Sequence, residues 1–244
     1  MKILITGASS GLGAEFARQY TALDVVLILL ARREERLERL QDELKTQCKS
    51  VIIIAVDVTD FSLLQEKIDA IGVVDLLILN AGVSLGHSTE SIPTIKEFQN
   101  LYNVNVLANH AILEILLPKM QAQKSGHIVF ISSLSSLFTM PSAKVYASSK
   151  RALNAYAEGI RYKYRQDGLQ VSILLPGFIK SELTDKNDFF MPFLLETAEG
   201  VRRMKKAIEK RKEFYAFPFR FYIIIRLIQM LPSLLRQKIV HYFL

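Results

Sequence analysis

Two side chains have the types and spacing for acid–base work. In the stretch VYASSKRALNAY (145–156), Tyr146 and Lys150 stand four apart, and Ala147, Ser148 and Ser149 between them are small. On a helix, positions i and i+4 share one face, one turn apart. A phenol is a weak acid near neutral pH; an adjacent ammonium stabilises the phenolate and lowers that pKa. Such a pair can give a proton to an oxygen atom or take one away. Alone, the same spacing also describes an ordinary amphipathic helix with two exposed residues, so other features must decide.

One such feature lies near residue 6. TGASSGLG (6–13) follows an apolar run and leads into a helix. Gly7, Gly11 and Gly13 allow a tight turn and close backbone approach to a ligand, with Ser9, Ser10 and Leu12 between them. The free N–H groups of a helix start favour an anion there, as in a dinucleotide phosphate cradle. The rival reading is a helix capped by Ser10, with glycines for packing. About 20 residues beyond such glycines, an NAD-selective site places a carboxylate against the ribose 2′-hydroxyl. Here Ala31, Arg32 and Arg33 stand instead. A guanidinium suits a 2′-phosphate, so Arg32 points to NADP(H) over NAD(H). In the rest of ARREERLERL, Arg36 and Arg39 read as solvated.

The elements that would position these residues are legible as short apolar runs: 2–6, 25–31, 51–58, 75–80, 127–132 and 171–176. They are continuous rather than alternating, as in strands buried on both faces of a parallel sheet. Helix-like segments alternate with them at 11–21, 34–47, 61–70, 94–123 and 143–166. The expected fold is α/β, a Rossmann-type doubly wound parallel sheet with helices on both faces and a C-terminal helical extension. A seventh strand is expected at 213–218. Residues 1–182 read as the dinucleotide-binding catalytic core. Residues 183–244 read as a substrate loop, last strand and basic, apolar extension of the same domain. The segment Phe178–Ala198 has aromatics, Met and Pro without a clean period and reads as a flap over the ligand crevice. Within it Leu183, Phe189, Phe190, Met191 and Phe193 hint at an apolar substrate.

Composition narrows the class. Half of the 244 residues are apolar, enough for a substantial core. Cys48 is the only cysteine, so no internal disulfide can form, and the apolar run before Thr6 (Ile3–Ile5) is too short for an export signal; a cytoplasmic protein is expected. The net charge of +7 is uneven. Eleven Lys or Arg against Glu209 and Glu213 give residues 201–244 a charge of +9, leaving −2 for the first 200. The end, FYIIIRLIQMLPSLLRQKIVHYFL (221–244), is interrupted by Arg226 and Pro232 and reads as two short amphipathic helices rather than a span. They would pack on the protein or a partner subunit, or make peripheral membrane contact through 219–244. No nucleic-acid motif is present, and His110 with Glu114 lacks the companions of a metal site, so no metal is expected.

TGASSGLG, LNAG (79–82), NVN (103–105), ISS (131–133), YASSK (146–150) and LPGF (175–178), in this order, resemble the classical short-chain dehydrogenase/reductase family. The resemblance covers about residues 1–182. It implies hydride transfer between a nicotinamide cofactor and a small carbonyl or secondary-alcohol substrate, in an oxidoreductase. It implies that Tyr146 is the catalytic acid or base, with Lys150 orienting cofactor and phenol together. Ser133, rather than its neighbour Ser132, is implied to bond the substrate oxygen, and Asn105 to hold a water of the proton relay. Asn80, Ala81 and Gly82 would lie beside the adenine-ribose end and Asp57 and Val58 would touch adenine. Pro176, Gly177 and Ile179 would face the nicotinamide amide, with Ser181 where the family has Thr. Pairing of the helices near 100–120 and 146–164 would make a homodimer. Departures are Leu79 where Asn is common, TALD (21–24) in place of a glycine turn, and an unusual last 60 residues. The alternative is a nucleotide-binding regulator or membrane-surface protein that keeps the fold with little turnover.

Overall fold

The computed structural model describes residues 1–85, 92–185, 187 and 190–242. Seven strands form one all-parallel sheet in the order β3-β2-β1-β4-β5-β6-β7. They are β1 (Lys2–Thr6), β2 (Val26–Ala31), β3 (Ser50–Ala55), β4 (Leu76–Leu79), β5 (Gly126–Ile131), β6 (Leu169–Pro176) and β7 (Phe214–Phe217). The expected Rossmann-type architecture is therefore present, with the seventh strand at its expected place. The sheet's continuous apolar runs follow from burial on both faces. Leu4, Ile28, Leu30, Leu77, Ile128 and Phe130 enter one core, while Ile3, Ile5, Leu27, Leu29, Ile78 and Val129 enter the other. Each fully buried Leu or Ile contributes about 1.5–3 kcal/mol through area removed from water.

The first core is covered by α3 (Phe61–Ala70), α5 (Ala108–Gln123) and α6 (Lys144–Tyr164), the second by α1 (Gly11–Gln19), α2 (Glu34–Leu44) and α7 (Thr197–Glu209). Helix α7 was not among the sequence-expected helices because its RRMKK run read as part of a basic tail. Its buried face is nevertheless periodic: Val201, Met204 and Ile208. The expected single helix over 94–123 is divided. α4 (Ile95–Tyr102), opened by a Thr94–Glu97 capping box, passes into a π-helical turn, Asn103–Leu107, before α5. Beyond β7, α8 (Phe219–Met230) and α9 (Ser233–Tyr242) are the two short helices expected, parted at Pro232.

The strand order reverses direction at β1: its crossovers lead to β2 on one side and β4 on the other. Loops leaving the carboxyl ends of β1 and β4 must diverge there, which opens a crevice.

Candidate active site

A crevice of about 410 Å³ lies at that switch point. It gathers every expected site residue except Gly13 and Asn105: Gly7, Ser9 and Ser10 of the β1–α1 loop, Gly11 and Leu12 at the start of α1, Arg32 after β2 and Asp57 and Val58 after β3. Asn80, Ala81 and Gly82 enter after β4, Ser133 after β5, Tyr146 and Lys150 from α6, and Pro176 at the end of β6 with Gly177, Ile179 and Ser181 after it. A larger groove, between α6, β7 and α8–α9, contains none of these.

The cradle end is built by close backbone approach. Gly7 has φ +67°, and a Cβ there would sit 3.0 Å from the Ala81 Cα. Thr6, fully buried at the end of β1, fixes the neighbouring loop: its hydroxyl accepts from the Asn80 and Ala81 amides, each at 2.9 Å. Asn80 Nδ2 returns a bond to the Thr6 carbonyl at 2.9 Å. Thr6 was not singled out from the sequence; a polar residue closing an apolar strand was its signal. Ser10 precedes α1, but its hydroxyl receives Arg33 Nη2 at 2.6 Å rather than capping the helix amides. The first-turn amides of α1 are thus left facing the crevice end, as an anion requires. Narrow glycine turns and uncapped amides fit the diphosphate of a dinucleotide.

At the other end, α6 passes beside β5. Lys150 is buried and donates through Nζ to the Ile131 carbonyl at 2.8 Å. That ammonium lies 5.8 Å from the centroid of the Tyr146 ring. The phenol is hydrogen-bonded with Ser133. Ser133 Oγ also meets Ser135, accepting its amide at 3.1 Å. Ser132 is buried and directs its hydroxyl at the Lys150 carbonyl at 3.4 Å, so it is Ser133 that joins Tyr146.

Asn105 stands one layer behind. Fully buried in the π-helical turn, it accepts the Val83 amide at 2.8 Å and donates to the Val83 carbonyl and Ser149 Oγ, both at 3.0 Å. Its side chain ties the loop after β4 to α6. Gly13 is also behind the wall, where a Cβ would be 2.2 Å from the Gly7 oxygen.

A family model described as short chain dehydrogenase matches residues 1–189, the span that builds this crevice. An uncharacterized oxidoreductase of Myxococcus xanthus is 34% identical over 234 residues, which is 94% of this chain and 92% of that one. The chain belongs to the short-chain dehydrogenase family. This dehydrogenase shares its fold with a solved one from Sphingobium yanoikuyae in complex with NADPH. The TM-score is 0.83 over 95% of this chain and 96% of that chain, at 22% identity. A family protein from Burkholderia phymatum in complex with NAD matches with TM-score 0.81 and 26% identity, over 93% and 92% of the two chains. As a member of the family the chain is an oxidoreductase, and the regulator alternative is not favoured.

The electrostatics of the dehydrogenase differ from the sequence expectation in one respect. The expectation was a phenol made more acidic by Lys150. Instead, burial pushes Tyr146 up to about 12, against the opposing hydrogen bond from Ser133. Burial also brings Lys150 down to about 8. Desolvation disfavours each charged form, and the ammonium is aimed at a carbonyl rather than at the phenol.

The arginines of this rim pair within the chain. Arg32 Nη1 pairs with Asp57 at 3.3 Å, while Asp57 accepts the Thr59 amide and hydroxyl. Arg33 reaches Ser9 and Ser10 in the cradle. Arg36, expected in water, is partly exposed and also pairs with Glu182; Arg39 is exposed, as expected, and donates to the Glu35 carbonyl.

The segment after β6 is pinned at both ends by a bridge between Ile179 and Leu195. Leu183 lines the crevice, Phe193 packs 5.8 Å from the Phe221 ring of α8, and Phe190 is exposed. Met191 meets the Asn187 amide; Phe189 lies outside the described residues. Thr184, missed in the sequence, receives the Ser181 amide at 2.8 Å. His110 pairs with Tyr156 and Glu114 with Gln65, and among the described residues no group fits a metal ion.

Proposed function

We propose that this dehydrogenase is an NADPH-preferring reductase of small carbonyl compounds, with Tyr146 as the proton donor. The observation that carries this reading is the placing of Tyr146, Ser133 and Lys150 at one end of a crevice whose other end is a glycine cradle rimmed by Arg32 and Arg33. Gly7, Ser9, Ser10, Gly11 and Leu12 would hold the diphosphate, Arg32, Arg33 and the adjacent Arg36 the 2′-phosphate, and Lys150 the nicotinamide ribose. A bound nicotinamide supplies the hydride to the carbonyl carbon, or accepts it in reverse.

The chain's own groups do the rest. Ser133 Oγ hydrogen-bonds the carbonyl oxygen where negative charge develops, and Tyr146 gives that oxygen its proton. A phenol held up to about 12 keeps its proton at neutral pH, which suits donation. Lys150 Nζ supports the phenolate left behind, and Asn105 holds α6 against the loop after β4. Titration of NADPH and NADH, then a carbonyl panel read at 340 nm, tests this. Tighter NADPH binding and carbonyl-dependent oxidation are expected; equal affinity for both nucleotides would remove the assigned selectivity.

A second reading concerns the end of the chain. Among the described residues no helix is long and apolar enough to cross a membrane. Yet Phe219, Ile223, Ile224, Leu227, Met230 and Leu234 are exposed along α8 and α9, with Arg220, Arg226, Arg236 and Lys238 also exposed. Apolar side chains beside cations suit an anionic bilayer surface, and membrane contact is proposed there. Wild-type protein should float with phosphatidylserine vesicles and less with phosphatidylcholine alone. The surface variant Ile224→Asp/Leu227→Asp should stay in the dense fraction, and equal flotation would dismiss the contact. A homodimer through α5 and α6 belongs to the same proposal, with exposed Leu107 and Tyr162 available to a second copy.

A further inference from the structure

Two guanidinium groups at the rim of the crevice converge on one carboxylate of the same chain. Arg33 Nη1 donates to Glu182 at 2.9 Å, and Arg36 donates to the other carboxylate oxygen. Arg33 turns its other two nitrogens on Ser9 Oγ at 3.2 Å and Ser10 Oγ at 2.6 Å, and the Ser10 hydroxyl also bonds Glu182. Glu182 reaches them from the opposite rim, after β6, while the arginines open α2. Two guanidinium groups and a serine hydroxyl therefore surround a single anion. These are the donors that would grip a phosphate monoester, through charge-assisted and forked hydrogen bonds.

We propose that Glu182 is a built-in competitor for the 2′-phosphate of the nucleotide: the phosphate takes over Arg33 and Arg36 and releases Glu182 together with the turn that carries it. The inference rests on the NADPH reading above. It makes Glu182 a selectivity residue, lowering the affinity for the phosphorylated nucleotide and meeting the diphosphate cradle directly at the Ser10 hydroxyl. Glu182 is charged at any working pH: Arg36 foremost, then Arg33 and Ser10, holds its carboxyl down to about 2 against the upward pull of partial burial. A phosphate monoester carries more charge near neutral pH than one carboxylate and offers three acceptor oxygens, so it wins the exchange.

The exchange reaches the other end of the site through the backbone. Glu182 lies within a turn closed by the Ser181 amide on Thr184 Oγ1 at 2.8 Å and by Thr184 Oγ1 on the Ile179 carbonyl at 2.9 Å. Ile179, Ser181 and Leu183 of that turn all line the crevice. Filling the adenosine end thus bears on residues beside the reacting end.

The test uses the full chain and two nucleotide fragments, adenosine 2′,5′-bisphosphate and 5′-AMP, titrated by calorimetry. Glu182→Gln keeps the size and removes the charge at a partly exposed position. It should bind the bisphosphate roughly three- to tenfold more tightly, as expected on losing two exposed ion pairs, and gain clearly less for 5′-AMP, which meets Glu182 only through Ser10. In the wild type, the bisphosphate but not 5′-AMP should speed amide exchange over residues 180–185. Unchanged or weaker bisphosphate binding in Glu182→Gln overturns the competition and makes the carboxylate a support for the arginines. A wild type that binds the two fragments equally, with no loss in Arg33→Ala, overturns the NADPH reading itself, and this proposal with it.

Discussion

Tyr146→Phe is expected to lower the rate of carbonyl reduction by roughly 10²–10⁴-fold while leaving nucleotide affinity unchanged. The variant removes one oxygen atom and keeps the ring that packs beside Lys150. The lost group is the assigned proton donor, already hydrogen-bonded with Ser133 in the crevice. Nucleotide binding is assigned to the glycine loop, the arginines and the Lys150 ammonium, none of which the substitution touches. The pH profile supplies a second readout. Lys150 is brought down to about 8 by burial, so its positive charge is complete below that pH and lost above it. Tyr146, near 12, stays protonated across the same range. Reductive kcat/KM should therefore hold up to about pH 8 and fall as Lys150 gives up its proton. Turnover undiminished in Tyr146→Phe would defeat the assigned chemistry, and a profile flat from pH 6 to 10 would defeat the role of the ammonium.

Most of this site was legible in the sequence because its parts are local. A glycine turn after an apolar run and a Tyr–Lys pair one helical turn apart are short-range patterns, and a parallel sheet brings the ends of its strands together. Hence 18 of the expected residues proved to be neighbours although they come from the carboxyl ends of six separate strands and from α6. What escaped was long-range. Nothing near Glu182 in the chain announces that it meets Arg33 and Arg36 across the crevice. Thr6 looks like the end of a strand until the loop after β4 is laid against it. The π-helical turn was invisible because what distinguishes it, the bonding of Asn105 to Val83 and Ser149, is tertiary; apolar residues continue through it at helical spacing. The pKa of Tyr146 was misjudged for a related reason. Sequence spacing gives the proximity of an ammonium, whereas desolvation depends on the whole surrounding wall.

The same chemical change at two helical glycines should move stability in opposite directions. Gly13→Ala and Gly159→Ala each place a methyl group on a helix, where alanine is intrinsically favoured by about 1 kcal/mol. At Gly159, in α6, nothing lies within 4 Å of the new carbon, so the gain should be realised as a rise of about 2–4 °C in Tm. At Gly13, in α1, the carbon would be 2.2 Å from the Gly7 oxygen, 2.7 Å from its carbonyl carbon and 2.8 Å from Asn80 Nδ2. The two closest are backbone atoms of a turn already fixed at positive φ, which cannot swing aside as the end of a flexible side chain would. Overpacking of this kind costs about 1–3 kcal/mol, and a clash this close against rigid backbone belongs at the upper end, so it outweighs the helical preference. The net fall in Tm should be several degrees. Any relief must push α1 away from β1, widening the turn that presents the first-turn amides to the diphosphate. Nucleotide affinity should then fall in Gly13→Ala and stay constant in Gly159→Ala, measured by titration below either melting temperature. If Gly13→Ala melts at or above the wild-type temperature and still binds nucleotide, the contact between α1 and the glycine turn is looser than drawn, and the cradle does not depend on it.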